Sequence, residues 1–179
     1  MATIVAVEAE GGAVLAGDRL RVEDGTVRSR DEDHVFDFGE VGAAAVGESG
    51  VVEEFRSQLE SEIRSYETEQ GESMRIGRLA TVASNLAREG VEAVVAGRED
   101  DGEARVRGID ASGSIVTDDR IALGSGAEFA LGVLDGGDVA RLDDAEELAR
   151  EAIVSAADRD AGTGETIDVY RLESSSETL

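Results

Sequence analysis

Few side chains among these 179 residues are equipped for chemistry, and their types narrow what that chemistry could be. There is no cysteine, which removes disulfides, thiolate metal sites and a thiolate nucleophile. The single histidine, His34, follows Asp31-Glu32-Asp33. Carboxylates that close attract positive charge, so His34 reads either as a candidate cation or as an ordinary polar residue at a strand start. It has no metal partners at ligand spacing. Acidic clusters at 31–33, 99–101 and 143–144 could hold cations loosely, but in so acidic a chain they read as solvated surface. Gly11-Gly12 and Gly124-Ser125-Gly126 lack the spacing of a phosphate loop or a dinucleotide fingerprint, and read as a turn and a tight packing point. What remains is the N-terminal end itself. Ala2-Thr3-Ile4-Val5-Ala6-Val7 is apolar from its first residues, which would set the N-terminus inside the fold, where a free amine can do chemistry.

The elements that must position these groups follow from pattern. The opening run and Ala13 to Asp18 flank the Gly-Gly pair as two strands of a tight hairpin, the first buried on both faces. Leu20 to Asp33 is polar and turn-like, with a turn at Asp24-Gly25. His34 to Phe38 and Val41 to Val46 read as a strand pair closing the first sheet. A helix starting near Ser49 carries Val52, Phe55, Leu59, Ile63 and Tyr66 on one face and ends at Gly71. A second carries Ile76, Leu79, Ala80, Ala83, Leu86 and Ala87 and stops at Gly90. Strands follow at 91–96, 104–109, 115–117 and 121–123. Gly124-Ser125-Gly126 then leads into a helix with Phe129, Ala130, Val133 and Leu134. Asp143 with Glu146 resembles a capping box for a helix burying Ala145, Leu148, Ala149, Ala152, Ile153 and Ala156. The last strand is Thr166 to Leu172. One domain over 1–172 with a loose polar tail over 173–179 is expected.

Composition sets the environment. The net charge is −24, from 41 acidic against 17 basic residues, and all the basic residues are arginine. Such an excess repels nucleic acid and anionic membranes, and needs salt to screen its self-repulsion. A high-salt cytoplasm, as in a halophilic microorganism, is the expected location. The 41% hydrophobic content with clear periodicity argues against disorder. No apolar run reaches membrane length, and no secretory leader pattern precedes the first strand.

Three blocks in order carry a resemblance. The opening strand runs into Ala13-Val14-Leu15-Ala16-Gly17-Asp18-Arg19. Gly124-Ser125-Gly126 is followed by Phe129 and Gly132-Val133-Leu134. Ala156-Ala157-Asp158-Arg159-Asp160 is followed by Gly164 and Ile167-Asp168-Val169. Together they resemble the proteasome β-subunit family of N-terminal-nucleophile hydrolases. Pattern alone allows any layered α/β or α+β fold. The resemblance implies an α+β fold, a four-layer αββα sandwich with two helices outside each of two stacked antiparallel sheets. It also implies a β-type subunit, without the helical N-terminal extension of the family's α subunits.

In that family the first threonine attacks a peptide carbonyl with its own amine as base. Counted back from Asp18 without a gap, the nucleophile position is Ala2, whose methyl cannot attack. The family's lysine aligns with His34, and the oxyanion glycine with Ala44, across a segment from Phe36 that is shorter than usual. Asp18, Ser125, Asp160 and Thr163 align with the supporting aspartates and hydroxyls, with threonine in place of the last serine. Those groups either hold the N-terminal strand and its turns together or line a pocket derived from the old cleft. The resemblance implies a ring-forming subunit, alone or co-assembled with proteasome-type subunits; the departures from its pattern make a catalytically inactive one the expectation, with no cofactor, metal, nucleic acid or membrane partner. Two rivals stand beside it: a threonine peptidase using Thr3 after trimming, which needs a one-residue slip of the first strand, and a solitary binding domain.

Overall fold

The computed structural model describes residues 1–48, 50–87 and 89–175. In chain order the elements are β1 Thr3–Ala9, β2 Gly12–Asp18, β3 Arg21–Glu23, β4 Thr26–Ser29, β5 Val35–Asp37, β6 Gly42–Gly47, α1 Val51–Gln70, α2 Ile76–Leu86, β7 Val91–Arg98, β8 Ala104–Ile109, β9 Ile115–Val116, β10 Arg120–Gly124, α3 Ala127–Gly136, α4 Leu142–Arg159 and β11 Ile167–Glu173.

Period-two alternation in β1 explains the layering. Ile4 and Ala6 join Leu15, Val46, Val94 and Tyr170 in a core between two sheets. Val5 and Val7 point the other way, into a core with Val14, Ala152 and Ile153 beneath α3 and α4. A third core packs Phe55, Leu59 and Ile63 of α1 and Leu79 and Ala83 of α2 on Ala43, Ala45 and Val95. The result is an α+β fold of four layers, helices outside and two sheets inside.

One sheet has the order β10-β1-β2-β11 and the other β5-β6-β7-β8-β9, with β3 and β4 a separate ribbon. The named strands pair antiparallel throughout, and the isolated bridge between Glu10 and Arg141 is parallel. The expectation that β5 and β6 close the first sheet is therefore corrected: they begin the second. Both ends of the chain build the first one, because β11 pairs with β2 and β10 with β1.

Local boundaries also differ. Ala9 pairs with Gly12, so the hairpin turns on Glu10 and Gly11, and only Gly11 takes a positive φ, 88°. Gly12 is needed for a different reason, since a Cβ there would lie 2.6 Å from the Leu172 carbonyl. The helix start placed near Ser49 lies outside the described residues, and Gly50 takes the N-cap position of α1. α2 ends at Leu86, and Gly90, at φ 89°, serves the turn into β7. The start of α4 is closed by Asp144, which accepts from the backbone N–H of Arg141 at 3.0 Å. Glu146 faces Arg150 and Arg171 instead. β11 continues through Glu173, and the N–H groups of Ser174 and Ser175 donate to Gly11 and Gly102 at 2.9 and 2.8 Å, so the chain is still tied where a loose tail was expected. Residues 176–179 lie outside the described residues.

Candidate functional site

Asp18 ends β2 and is wholly buried. Its Oδ1 accepts the Thr3 N–H at 2.8 Å, and its Oδ2 accepts the N–H groups of Gly164 at 2.8 Å and Leu20 at 3.0 Å. Burial pushes its carboxyl above the ordinary value, and these three bonds and the nearby His34 offset only part of that push. One carboxylate thus ties the open end of the first hairpin to the loop before β11.

Alternation places Thr3 on the helix side of β1, opposite to Ala2 and Ile4. Its Oγ1 accepts from the Gly126 N–H at 2.9 Å and lies 2.8 Å from Thr163 Oγ1. The single proton of Thr163 goes to Asp160 Oδ2 at 2.7 Å, so Thr3 must be the donor in the Thr3–Thr163 bond. A one-way chain results, from the Gly126 amide through two hydroxyls to the Asp160 carboxylate.

Ser125 Oγ donates to the same Asp160 oxygen at 2.5 Å and touches the Met1 carbonyl. Its N–H donates to the Ala2 carbonyl at 3.2 Å. Burial raises the Asp160 carboxyl, but bonds from Ser125, Thr163 and Gly162 outweigh it and hold the group below its ordinary value. The glycines make this convergence possible. A Cβ on Gly126 would lie 2.8 Å from both Ala156 Cβ and Thr3 Oγ1, and Gly124, at φ 101°, passes too close to the Ala2 carbonyl for any side chain.

Ala2 and His34 lie elsewhere. Both line an open cleft of about 980 Å³ bounded by 20–24, 31–38 and the start of α1. His34 is almost fully buried, with Nδ1 2.7 Å from the Asp18 carbonyl oxygen and Nε2 3.3 Å from Glu32 Oε2. Asp160 and Thr163 line a second depression, of about 530 Å³, with Arg19 and Arg30. Ala44 is outside both clefts. It is buried between the sheets, paired with Val35 and Val94, and the cleft wall passes through Gly47 and Glu48.

Ser125, Asp160, Thr163 and Thr3 therefore form one connected network, with Asp18 joined to it through the Thr3 backbone. His34 reaches Asp18 only through the main-chain carbonyl. The cleft beside Ala2 is lined by an imidazole and carboxylates, while the hydroxyls of Thr3 and Thr163 are buried outside it and Ser125 is exposed. Sequence reasoning missed Thr3 as the centre of the hydroxyl chain. Its only signal was the alternation opposing it to Ala2. Among the described residues no buried side-chain polar atom is without a partner, and no group of three His, Asp or Glu is arranged to hold a metal.

A protein-family model described as proteasome subunit matches residues 1–172. Among curated proteins, the chain is 32% identical to proteasome subunit beta of Haloquadratum walsbyi over 93% of its length and 71% of the relative. It is 35% identical to proteasome subunit beta of Halorhabdus utahensis over 90% and 72%, and 32% identical to proteasome subunit beta 1 of Staphylothermus marinus over 95% and 84%.

Proposed function

Since the chain belongs to the proteasome subunit family, with β subunits as its relatives, we propose that it is a non-catalytic β-type subunit that acts by assembly and binding. The observation that carries this reading is Ala2. By the sequence resemblance it falls at the family's nucleophile position, and it lines the cleft while almost fully buried. An alkyl carbon has neither the lone pair nor the proton that acyl transfer requires. His34 in the lysine position, hydrogen-bonded to a main-chain carbonyl, supports the same reading. The site hydroxyls and carboxylates then act as a clamp that joins the N-terminal strand to the Gly124-Ser125-Gly126 turn and the 160–164 loop.

The Thr3 alternative is less well supported. That hydroxyl donates to Thr163 and accepts from Gly126 on the helix side of β1. A shift of one residue would exchange the two faces of a strand whose side chains from Ile4 to Val7 are completely buried.

β subunits of the family assemble into rings with other subunits, and this chain is proposed to do the same in a high-salt cytoplasm, either as a homo-oligomer or mixed with active subunits. No helix among the described residues is long and apolar enough to cross a membrane. Native mass measurement in molar salt, combined with N-terminal sequencing and a fluorogenic peptide assay, tests the proposal. A ring-sized assembly without turnover is expected. Turnover by a chain beginning at Thr3, blocked by a threonine-directed inhibitor, would overturn it.

A further inference from the structure

His34 is the only histidine of the chain, and it is 4% exposed. Both of its ring nitrogens face oxygen acceptors. Nδ1 lies 2.7 Å from the main-chain carbonyl oxygen of Asp18, and Nε2 lies 3.3 Å from Oε2 of Glu32. A carbonyl has no proton to give, so Nδ1 must carry one. In a neutral ring Nε2 would then present a lone pair, which a carboxylate oxygen repels. Only with a proton on each nitrogen does the ring attract both neighbours. A proton on Glu32 instead would weaken its ion pair with Arg21, whose NH1 is 3.3 Å from Oε1.

The charges around the ring favour the same state. Asp18, at the end of β2, interacts electrostatically with His34. On its own segment Asp31 and Asp33 flank Glu32, with Arg19 in contact with the first and 3.8 Å from the second. Across the cleft the one cation at the start of α1, Arg56, is held between Glu53 and Glu60. From β6 comes only backbone, the Ala45 N–H donating to the His34 carbonyl at 2.9 Å.

Glu32 carries the contact further. Its N–H donates to the Arg19 carbonyl at 3.0 Å, which ties segment 31–33 to the end of β2. Through Oε1 it reaches Arg21 of β3, which also binds Glu23 at 2.8 Å, and Glu23 lies 3.7 Å from Arg28 of β4. The β3–β4 ribbon joins neither main sheet, so this chain of ion pairs is one of its attachments to the body of the fold.

We propose that His34 is a proton-operated latch. Protonated on both nitrogens, it holds Glu32 and so fixes segment 31–33 and the β3–β4 ribbon against the end of β2. Loss of the Nε2 proton to solvent releases both, while Nδ1 keeps its bond to the Asp18 carbonyl. The latch works whether or not the chain cuts peptides.

Because the histidine is unique, nitrogen NMR from about pH 5 to 9 follows one imidazole without ambiguity. Amide hydrogen exchange, corrected for its intrinsic pH dependence, is read in the same samples at the salt concentration that keeps the protein folded. Both nitrogens should be protonated at the acid end. Protection of the Glu32 amide should fall about fivefold as Nε2 is deprotonated, the loss of one partly exposed ion pair. Amides of the ribbon should follow, and amides of β1 should not. In Glu32→Gln the carboxamide can donate to a neutral Nε2, so protection should persist above the transition of the ring. Asp33→Asn removes a neighbouring charge but leaves the partner of Nε2, and should keep the step.

A ring with one proton throughout the range would overturn the proposal. So would Glu32 protection that ignores the ring, a step shared by β1, which would signal general unfolding, or equal loss of the step in Glu32→Gln and Asp33→Asn, which would assign it to the overall field of the carboxylates.

Discussion

The last rung of the first hairpin is made by a side chain: beyond the Ile4–Gly17 pair, the N–H of Thr3 donates to the carboxylate of Asp18 at 2.8 Å. Asp18→Ala would leave three N–H groups without their acceptor in a buried place. The expected cost is about 3–5 kcal/mol, measured by denaturant unfolding. Because burial raises the folded-state carboxyl, the folded chain binds more protons than the unfolded one between the ordinary carboxylate range and the raised value. This contribution to stability is fully present below the ordinary range and is lost as pH rises through the raised value. Asp18→Asn should remove that part of the pH slope.

Asp160 acts with the opposite sign. Its folded-state value is lowered, so its contribution is present above the ordinary carboxylate range and lost as pH falls through the folded value. Asp160→Asn should flatten the acid limb of an unfolding titration and leave the limb governed by Asp18 unchanged.

Thr3→Val preserves shape and removes the hydroxyl that links Gly126 to Thr163. A loss of about 1–3 kcal/mol is expected in thermal or denaturant unfolding, because a buried N–H loses its partner. Thr3→Val and Thr163→Val should be less than additive, since both cut the same chain.

Gly42 lies against the ring of Tyr170, where an added Cβ would be 2.5 Å from two ring carbons. Gly42→Ala should cost about 1–3 kcal/mol. The cost should shrink in a Tyr170→Leu background, a coupling that a double-mutant cycle of unfolding free energies will read.

Ala2→Thr with His34→Lys would put a hydroxyl and an ammonium on the cleft wall beside a polar network that already exists. Once the new threonine is N-terminal, covalent capture of a threonine-directed inhibitor should appear by intact mass, with Ala44→Gly as a third change. Either substitution alone should react much less, because nucleophile and charge act together. A folded triple variant that stays unmodified would show that the cleft wall at Gly47 and Glu48 no longer serves an acyl-transfer geometry.

The net charge of −24 predicts a salt requirement. Melting temperature and assembly size should both fall as salt is diluted from molar concentration and the screening length grows. Unchanged melting and size would reject a halophilic origin for the composition.

Much of the fold was legible because it depends on local pattern. Val5 and Val7 alternate with Ile4 and Ala6, and the spacing of Phe55, Leu59 and Ile63 sets the buried face of α1. What failed depends on partners far along the chain. Nothing local in His34 to Val46 says which sheet the hairpin joins; the choice follows from β6 pairing with β7, across the whole α1–α2 excursion. The turn at Glu10-Gly11 was misplaced by one residue because both glycines satisfy a turn pattern, and only the crowding of Gly12 by Leu172 tells them apart. At the site, Asp18, Ser125, Asp160 and Thr163 were singled out by resemblance, and the hydrogen bonds bring them together around Thr3. The Thr3–Thr163 bond spans 160 positions and leaves no local trace.

The arrangement of the first sheet has a consequence for synthesis. β1 and β2 emerge early, yet their outer neighbours β10 and β11 are made much later, after the continuous stretch that supplies the second sheet and its two helices. During translation the hairpin of two nearly all-apolar strands must therefore wait, edges open, until β11 leaves the ribosome. Such an interval leaves unpaired apolar edges exposed, and makes late docking of β10 and β11 the expected slow step of folding.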